Sequence, residues 1–169
     1  MKTLYVMRHA KSDWTGQAAD LDRPLNGRGR RDAPRVAAFL ARLEAPARIL
    51  SSPALRARQT AEALMASFEA TGPGARTALT YDQRLYGADA GALTEVVSQV
   101  EAAVPSLLVV GHNPGMEEWV RQLCGARVRL PTATLAALAL EIPAWASLPG
   151  AQAQLQWLVI PGLLKAMEG

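Results

Sequence analysis

The chain has 169 residues, half of them hydrophobic and 20% charged, which predicts one globular domain over residues 1–169 and excludes a chain that is disordered throughout. Its formal net charge is +3, and most of the positive charge is arginine, whose planar guanidinium binds phosphate oxygens in pairs, so we expect an acidic ligand. The single cysteine, Cys124, excludes an internal disulfide and a thiolate metal site, and no apolar run approaches the ~18 residues of a membrane span.

The first predicted element is a short buried strand, Leu4 to Met7, which ends on Arg8 and His9. In open α/β sheets, ligands bind at the carboxyl ends of the strands, so both side chains are well placed to meet an anion. A polar loop over residues 11–26 follows, and its length indicates a functional role rather than a simple connection.

A helical pattern comes after this loop, with apolar residues recurring on one face. Because Pro34 is disfavoured inside a helix, we expect the regular helix to start near Asp32 as its N-cap, with a looser turn from Asn26 before it. The apolar face of this helix consists of Ala33, Val36, Ala37, Leu40 and Leu43.

The second predicted strand, residues 47–50, runs into Ser51-Ser52-Pro53. A serine followed by proline is typical of a helix start, with the serine as N-cap and the proline at the first helical position. Arg56 then falls in the first turns of this second helix, and the helix ends in a loop over residues 71–74.

Four further elements are predicted before the last third of the chain. A short strand over residues 78–81 is followed by a loop through Tyr86 and Gly87 and by a third helix. Residues 106–110 form a continuous apolar run that is typical of a strand covered on both faces. That run stops at Gly111 to Gly115, where a fourth helix begins.

The last part of the chain has a different pattern, with two strand-like runs over residues 132–140 and 154–160 and no convincing helix between them. These runs predict an antiparallel pair. The predicted fold class is therefore α/β, a three-layer sandwich whose mostly parallel central sheet has helices on both faces and an antiparallel edge. The four tryptophans, Trp14, Trp119, Trp145 and Trp157, can lie in the core, at a rim or in an interface, and the core is the default expectation.

Three predicted strand ends carry similar chemistry. The first ends in Arg8 and His9, the second leads to Arg56, and the buried later strand ends in His112 and Asn113. Since the carboxyl ends of parallel strands share one edge of a sheet, these groups are expected to converge, together with two helix N-termini. The protein's only two histidines both belong to this cluster.

Such a cluster suits phosphoryl transfer, which requires mainly positioning and positive charge around the phosphoryl oxygens. A neutral imidazole in line with the scissile bond attacks phosphorus and forms a covalent intermediate. No metal or cofactor is required, and the chain has none of the usual carboxylate or cysteine ligand spacings.

Several segments resemble the motifs of the histidine phosphatase superfamily. Met7 to Ser12 resembles its Arg-His-Gly signature with alanine in place of glycine, residues 51–61 resemble its second-arginine motif, and residues 111–114 resemble its second-histidine motif. With residues 22–25 and 85–88, the pattern is similar to the small SixA-like phosphohistidine phosphatases.

The resemblance implies that His9 is the phosphorylated nucleophile. It also implies that Arg8, Arg56 and His112 bind the phosphoryl group with help from the backbone N–H of Asn113. Position in the second motif selects Arg56, so Arg58 is expected at the surface. Arg23 is a further candidate for substrate binding, while Arg28, Arg30 and Arg31 either guide an acidic partner or form a solvated helix face.

Larger members of this superfamily carry a glutamate that protonates the leaving alkoxide, and here Tyr86 stands where that acid would fall. Asp13, Asp82 and Asp89 are alternative donors, but each is as readily explained as a turn residue. An imidazole leaving group, with a reference pKa of about 6.5, departs with little help from an acid. The missing acid therefore favours phosphohistidine, or another labile phosphoramidate or acyl phosphate, over sugar phosphates as the substrate.

Three functions remain open from the sequence. The first is a metal-independent protein phosphohistidine phosphatase, the second a small-molecule phosphomonoesterase or mutase with an unrecognised acid, and the third a noncatalytic binder of phosphate or nucleic acid. Against the third, no nucleic-acid-binding motif is present. We expect a cytoplasmic monomer that acts on a phosphorylated protein or a small phosphorylated substrate, with neither membrane nor nucleic acid as a partner.

Overall fold

The computed structural model describes residues 1–72 and 76–169, so the end of the loop predicted over residues 71–74 lies outside the described residues. The strands are β1 (Lys2–Arg8), β2 (Arg48–Ser51), β3 (Ala78–Tyr81), β4 (Ser106–Gly111), β5 (Leu135–Leu140) and β6 (Ala153–Val159). The helices are α1 (Gly27–Leu43), α2 (Leu55–Ala70), α3 (Ala90–Ser98), α4 (Gly115–Cys124) and α5 (Pro161–Met167). None of these helices is both long enough and apolar enough to cross a bilayer.

The six strands form one sheet in the order β3-β2-β4-β1-β5-β6. The first four strands of this order run parallel to one another. β5 runs antiparallel to β1, and β6 runs antiparallel to β5. In the register of the sheet, Arg8 at the end of β1 faces Gly111 of β4, and Ser51 at the end of β2 faces Val110. The carboxyl ends of β1, β2 and β4 therefore stop at the same level, which brings the segments that follow them together.

Helices cover both faces of the sheet, as the predicted fold class requires. One hydrophobic cluster joins α1, α2 and α5 to one face, and a second cluster joins α3 and α4 to the other. Trp119 and Trp145 are fully buried in the second cluster, and Trp157 packs beside the first. The core position expected for Trp14 is wrong, because its side chain is 71% exposed.

Helix α1 begins six residues earlier than predicted, so the expected N-cap at Asp32 is wrong. The side-chain oxygen of Asn26 accepts a hydrogen bond from the Gly29 N–H at 2.9 Å and caps the helix. Pro34 lies inside the helix, where it removes the bond to the carbonyl of Arg30. Its ring is exposed and the apolar face continues past it, so tertiary packing outweighs the local penalty.

The predicted serine cap and N1 proline of α2 are also wrong. The helix starts at Leu55 with Ala54 as its N-cap, and no side chain caps it. The Ser52 hydroxyl instead accepts a hydrogen bond from the Ala54 N–H at 3.2 Å, and it also contacts the ring of His112. Pro53 lies in the turn that separates β2 from α2. Ser52 belongs to the same turn, so its side chain can contact residues outside α2.

The antiparallel pair at the end of the chain is confirmed, but β5 is shorter than predicted and a helix follows β6. β5 begins at Leu135 rather than at residue 132, because residues 131–134 form a turn. The C-terminal helix α5 was not predicted; it starts on Pro161 at its first position and packs against α1 through Leu164.

Candidate active site

A pocket of about 400 Å³ opens at the carboxyl ends of the parallel strands. Four residues lie at or after the carboxyl ends of β1, β2 and β4, and we call them the strand-end wall: Arg8, His9, Arg56 and His112. Four further lining residues come from the connecting loops, and we call them the loop wall: Trp14, Asp20, Arg23 and Tyr86. The remaining lining residues are Lys11, Ser12, Gly87, Asn113 and Thr132.

The two histidines of the chain are neighbours in the strand-end wall. Their ring centroids lie 5.1 Å apart, with the ring planes inclined by 53°. The His9 N–H donates to the carbonyl of Gly111 at 3.0 Å, so the backbone after β1 is tied directly to the end of β4. The sheet register thus fixes the distance between the imidazoles.

The backbone around His9 is held from two further sides. The Ala10 N–H donates to the Thr60 hydroxyl of α2 at 3.0 Å. The Ala133 N–H lies 3.1 Å from the carbonyl oxygens of both Arg8 and His9. Ala133 has a φ of 61°, a left-handed conformation that a residue with a Cβ rarely adopts. Strain of this kind persists only where surrounding contacts impose it, and here it accompanies a clamp on the β1 terminus.

The hydrogen bond of the His9 ring selects one tautomer. Its Nδ1 lies 2.7 Å from the carbonyl oxygen of Ala10, which only accepts hydrogen bonds, so Nδ1 carries the proton. In the neutral ring, Nε2 then holds the lone pair.

Both imidazoles are neutral at pH 7. Burial lowers the pKa of His9 to about 3, and His112 when it is protonated, Arg56 and Arg8 act in the same direction, against the hydrogen bond to Ala10. Burial, followed by the charge of Arg56, lowers the pKa of His112 to about 4, although Asp20 opposes this shift. Two uncharged rings therefore stand among cationic guanidinium groups.

His112 is oriented by partners on both ring nitrogens. Its Nε2 lies 2.7 Å from the Ser52 hydroxyl, and its Nδ1 lies 3.4 Å from the Nη2 of Arg56. Because a guanidinium only donates, Nδ1 is the acceptor and Nε2 carries the proton. Ser52 was not identified as a site residue from the sequence, since its pattern was fully explained as a helix cap.

Asp20 is the main residue of the site that the sequence did not reveal. Its carboxylate accepts hydrogen bonds from the Tyr86 hydroxyl at 2.5 Å, from Arg23 at 2.9 Å and from Arg56 at 3.0 Å. Its backbone carbonyl accepts a further bond from Arg56 at 2.6 Å. The bonds from Tyr86, Arg23 and Arg56 hold the pKa of this carboxyl well below its usual range. The available signal was its place in a long polar loop directly after the first strand, where sites are commonly built.

The arginines of the pocket retain donors without acceptors. The Nε–H groups of Arg8, Arg23 and Arg56 are buried and have no hydrogen-bond partner among the described residues. Arg8 donates through another nitrogen to the carbonyl of Leu130 at 3.1 Å. A buried donor without a partner is costly, so these three guanidinium groups keep hydrogen-bonding capacity that no described protein group uses.

Asn113 lines the pocket, and its side chain is used to hold the structure together. The amide nitrogen donates to Glu117 of α4 at 2.9 Å and to the carbonyl of Leu130 at 3.0 Å. The carbonyl of Leu130 also accepts from Arg8, so it links the end of β1 to the segment that follows β4. The role predicted for its backbone N–H remains a prediction.

Of the four proton-donor candidates, only Tyr86 lines the pocket. Asp82 caps the short 3₁₀ turn before Tyr86 and pairs with Arg84, and Asp89 caps α3. Asp13 accepts two hydrogen bonds from Thr15 in an exposed turn. Tyr86 lies edge-on to His112 with ring centroids 5.6 Å apart, and its hydrogen bond to Asp20 raises the pKa of the phenol.

Of the other arginines named from the sequence, Arg23 lines the pocket and the rest do not. Arg23 is buried in the loop wall, where it also contacts the Ser12 hydroxyl and lies 3.6 Å from the centre of the Trp14 ring. Arg58 is outside the pocket, stacked on Tyr81 at 4.2 Å. The exposed side chains of Arg28, Arg30 and Arg31 are not among those that line the pocket.

Two glycines allow the close backbone contacts that join the loops to this site. A Cβ on Gly29 of α1 would lie 2.1 Å from the carbonyl oxygen of Lys11, just after His9. A Cβ on Gly115, the first residue of α4, would lie 2.0 Å from the carbonyl oxygen of Ala88. The second contact packs the Tyr86 loop against the segment that carries His112.

Comparisons with known proteins agree with this architecture. The family model of the histidine phosphatase superfamily (branch 1) matches residues 4–122. An uncharacterised protein of Mycobacterium tuberculosis is 42% identical over 109 residues, which is 64% of this chain and 63% of that protein. The chain thus spans somewhat less than two thirds of that relative. An uncharacterised chloroplastic protein of Arabidopsis thaliana is 32% identical over 147 residues, or 81% of this chain and 66% of that protein.

Solved structures share the fold over nearly the whole chain. A candidate phosphohistidine phosphatase, SixA, from Nakamurella multipartitia superimposes with a TM-score of 0.80 at 31% identity, covering 95% of this chain and 96% of that one. A second, from Agrobacterium tumefaciens, gives 0.78 at 29% identity, covering 95% and 98%. With the family match over residues 4–122, these similarities establish that the chain belongs to branch 1 of the histidine phosphatase superfamily and is SixA-like.

Proposed function

We propose that the protein is a metal-independent phosphatase that transfers the phosphoryl group of protein phosphohistidine to His9 and then to water. In the first step, Nε2 of His9 forms a bond to phosphorus while the bond from phosphorus to the substrate imidazole breaks. In the second step, water attacks the phosphorylated His9, and inorganic phosphate leaves.

The observation that carries the proposal is the state of His9. Its Nδ1 proton is engaged by the Ala10 carbonyl at 2.7 Å, and its pKa is lowered to about 3, so Nε2 offers an unprotonated lone pair to the pocket at pH 7. A protonated ring could not attack phosphorus. The same features keep the nucleophile ready without a separate base.

The surrounding cations meet the charge of the phosphoryl group. Arg8 and Arg56 supply guanidinium donors that reach phosphate oxygens in pairs. His112 takes up a proton as the anion binds, because negative charge beside its ring raises its pKa from about 4. Side chains rather than a metal ion thus provide the positive charge of the proposed reaction.

The leaving side of the pocket favours an imidazole over an alkoxide. Asp20 is ionised and cannot donate a proton, and the phenol of Tyr86 is a weak acid whose pKa is raised further. An imidazole needs little protonation to leave. The candidate phosphohistidine phosphatases among the structural neighbours support the same substrate class.

Hydrolysis of a protein carrying radiolabelled phosphohistidine tests the proposal. We expect the wild-type protein to release phosphate and to become transiently labelled on His9. His9→Ala should lose both hydrolysis and labelling, whereas His112→Ala should hydrolyse slowly and still be labelled. Full activity of His9→Ala would refute the proposed mechanism.

The pocket position of Tyr86 favours a second candidate, a small-molecule phosphomonoesterase. In that case the phenol would protonate an alkoxide leaving group. Comparing kcat/KM for the phosphohistidine protein with kcat/KM for sugar phosphates and nucleotides separates the two. A clear preference for alkyl phosphates would replace the substrate that we propose.

A further inference from the structure

A carboxylate is an unexpected lining group for a pocket that binds anions. Asp20 places one beside Arg56, and its side chain is 50% exposed. From this placement we propose that Asp20 is a specificity-determining residue: it accepts a hydrogen bond from the substrate ring nitrogen that does not carry the phosphoryl group. The inference rests on the proposed function and adds the part of the site that recognises the leaving group.

The carboxylate has room for one more donor. One of its oxygens accepts only from Arg23, and the other accepts from Arg56 and Tyr86. A carboxylate offers about four acceptor positions, so at least one stays free, and the exposed half of the side chain can present it to the pocket. A phosphoryl group that draws Arg56 toward itself would free another.

The two aromatic residues of the loop wall suit a flat cation on the faces that Arg23 does not cover. Trp14 is 71% exposed and stacks on the guanidinium of Arg23, and Tyr86 is 36% exposed. Aromatic faces and a carboxylate together attract a planar, positively charged ring. A phosphorylated imidazole becomes such a ring when its second nitrogen is protonated.

Protonation of that second nitrogen completes the chemistry without an acid from the enzyme. When Nε2 of His9 attacks phosphorus, the electron pair of the breaking bond returns to the ring nitrogen that held the phosphoryl group. The ring then leaves as neutral imidazole, with its proton already on the other nitrogen. Asp20 stabilises the protonated ring before cleavage by accepting its N–H, so the poor acids at this wall are sufficient.

The same carboxylate disfavours ordinary phosphate esters. Their leaving oxygen develops negative charge, and a carboxylate nearby opposes it. Asp20 should therefore act in opposite directions on the two substrate classes. A residue that only held Arg23, Arg56 and Tyr86 in place would affect both classes alike.

The test compares Asp20→Asn with wild type on two substrates, a phosphohistidine protein and p-nitrophenyl phosphate, with tungstate inhibition as a third measurement. Asp22→Asn is the matched control, because Asp22 lies on the same turn, is exposed and does not line the pocket. We expect Asp20→Asn to lower kcat/KM for phosphohistidine by about tenfold or more, the usual scale of a charged hydrogen bond. For p-nitrophenyl phosphate, kcat/KM should rise, and tungstate should inhibit at least as strongly as in wild type.

Each contrary result has its own meaning. Parallel losses on both substrates with a matching loss of tungstate inhibition would assign Asp20 to holding the arginines and overturn the inference. An unchanged ratio between the substrates would overturn it as well. If wild type hydrolyses p-nitrophenyl phosphate but not phosphohistidine, the proposed function fails, and the assignment of Asp20 fails with it.

Discussion

The two walls of the pocket are built differently. The strand-end wall takes its position from sheet register: Arg8 and His9 end β1, and His112 follows β4, which is paired with β1 residue by residue. The loop wall comes from the connections around residues 12–23 and 86–88 and is held by side chains, above all by the bonds of Asp20 to Arg23, Arg56 and Tyr86. This contrast suggests that one wall is fixed for a common chemical step and the other is adjustable to the leaving group.

The largest effect is expected where the walls meet, at Arg56. Its side chain lies in the strand-end wall and donates to Asp20 of the loop wall. We expect Arg56→Ala to lower kcat/KM by about 10²–10³, because the variant loses a charge-assisted donor to the transferring phosphoryl group. Arg56→Lys should recover little of this loss, since an ammonium cannot form the paired contact of a guanidinium.

Arg58→Ala is the control for this substitution. Arg58 lies two residues further along α2, outside the pocket and stacked on Tyr81. Steady-state kinetics on the same substrate should show Arg58→Ala within about threefold of wild type. If Arg56→Ala kept more than a tenth of the wild-type kcat/KM, the strand-end wall would not be the phosphoryl-binding wall.

The contrast also explains how much could be predicted from the sequence. The buried strands and the polar residues at their ends were readable, because an apolar run that stops on arginine or histidine marks both strand and site, as at Arg8, His9 and His112. Asp20 and Trp14 were not, because a loop residue becomes part of a site only through the path of the loop in three dimensions. Asp20 looks no different from Asp22, yet one lines the pocket and the other does not.

Local patterns misled where tertiary contacts decided the outcome. The sequence Ser51-Ser52-Pro53 is a favourable helix start, but the Ser52 hydroxyl contacts His112 and the helix begins at Leu55. Pro34 suggested a late start for α1, but Asn26 supplies a better cap and the helix packs along its whole length. Only the first of these outcomes depends on a distant partner, because Asn26 caps the helix through the N–H of Gly29, three residues along the chain.

A large loss of stability is expected at Gly115, in the contact that joins the two walls. A Cβ there would lie 2.0 Å from the carbonyl oxygen of Ala88, so Gly115→Ala must displace either α4 or the Tyr86 loop. We expect a loss of about 3 kcal/mol in the free energy of unfolding, measured by urea denaturation. Phosphohistidine turnover should fall as well, because Tyr86 moves.

Gly162→Ala provides the matched comparison in α5. None of the described residues has an atom within 4 Å of a Cβ at that position. Alanine is the better helix former, so this variant should gain up to about 1 kcal/mol. A Gly115→Ala variant as stable as wild type would mean that the walls are not joined by this close approach.

A smaller effect is expected on the free energy of unfolding at acid pH, and it distinguishes the strand-end wall, which contains His9, from the loop wall. His9 is buried and its pKa is about 3, whereas a histidine in the unfolded chain titrates near 6.5. Below pH 6.5 the unfolded chain therefore binds more protons, and stability falls as the pH falls toward 3. For His9 alone this loss amounts to about 2 kcal/mol between pH 7 and pH 5.

Replacing the strand-end histidine should reduce the acid sensitivity. In urea denaturation at the two pH values, His9→Asn should lose about 2 kcal/mol less stability than wild type between pH 7 and pH 5. Tyr86→Phe, a change in the loop wall, should keep the wild-type difference, because a phenol does not titrate in this range. Equal losses in His9→Asn and wild type would indicate that His9 is not held neutral by the fold.

The smallest effect is expected at the rim of the loop wall. Trp14 is 71% exposed and touches Arg23 at 3.6 Å, so Trp14→Ala should leave the free energy of unfolding within about 0.5 kcal/mol of wild type. If the ring stacks on the leaving group, KM for a phosphohistidine protein should rise about fivefold while kcat stays close to wild type, since the stacking contact is made in the bound substrate and persists in the transition state.

Leu21→Ala is the control for Trp14→Ala. Leu21 is another exposed apolar residue of the same loop, is 38% exposed and does not line the pocket. A fall in kcat for Trp14→Ala, with KM unchanged, would place Trp14 in the chemical step and remove the division of labour between the walls. A rise in KM shared by Leu21→Ala would instead trace the effect to the loop as a whole. Only a rise in KM confined to Trp14→Ala leaves the loop wall as the surface that selects the leaving group.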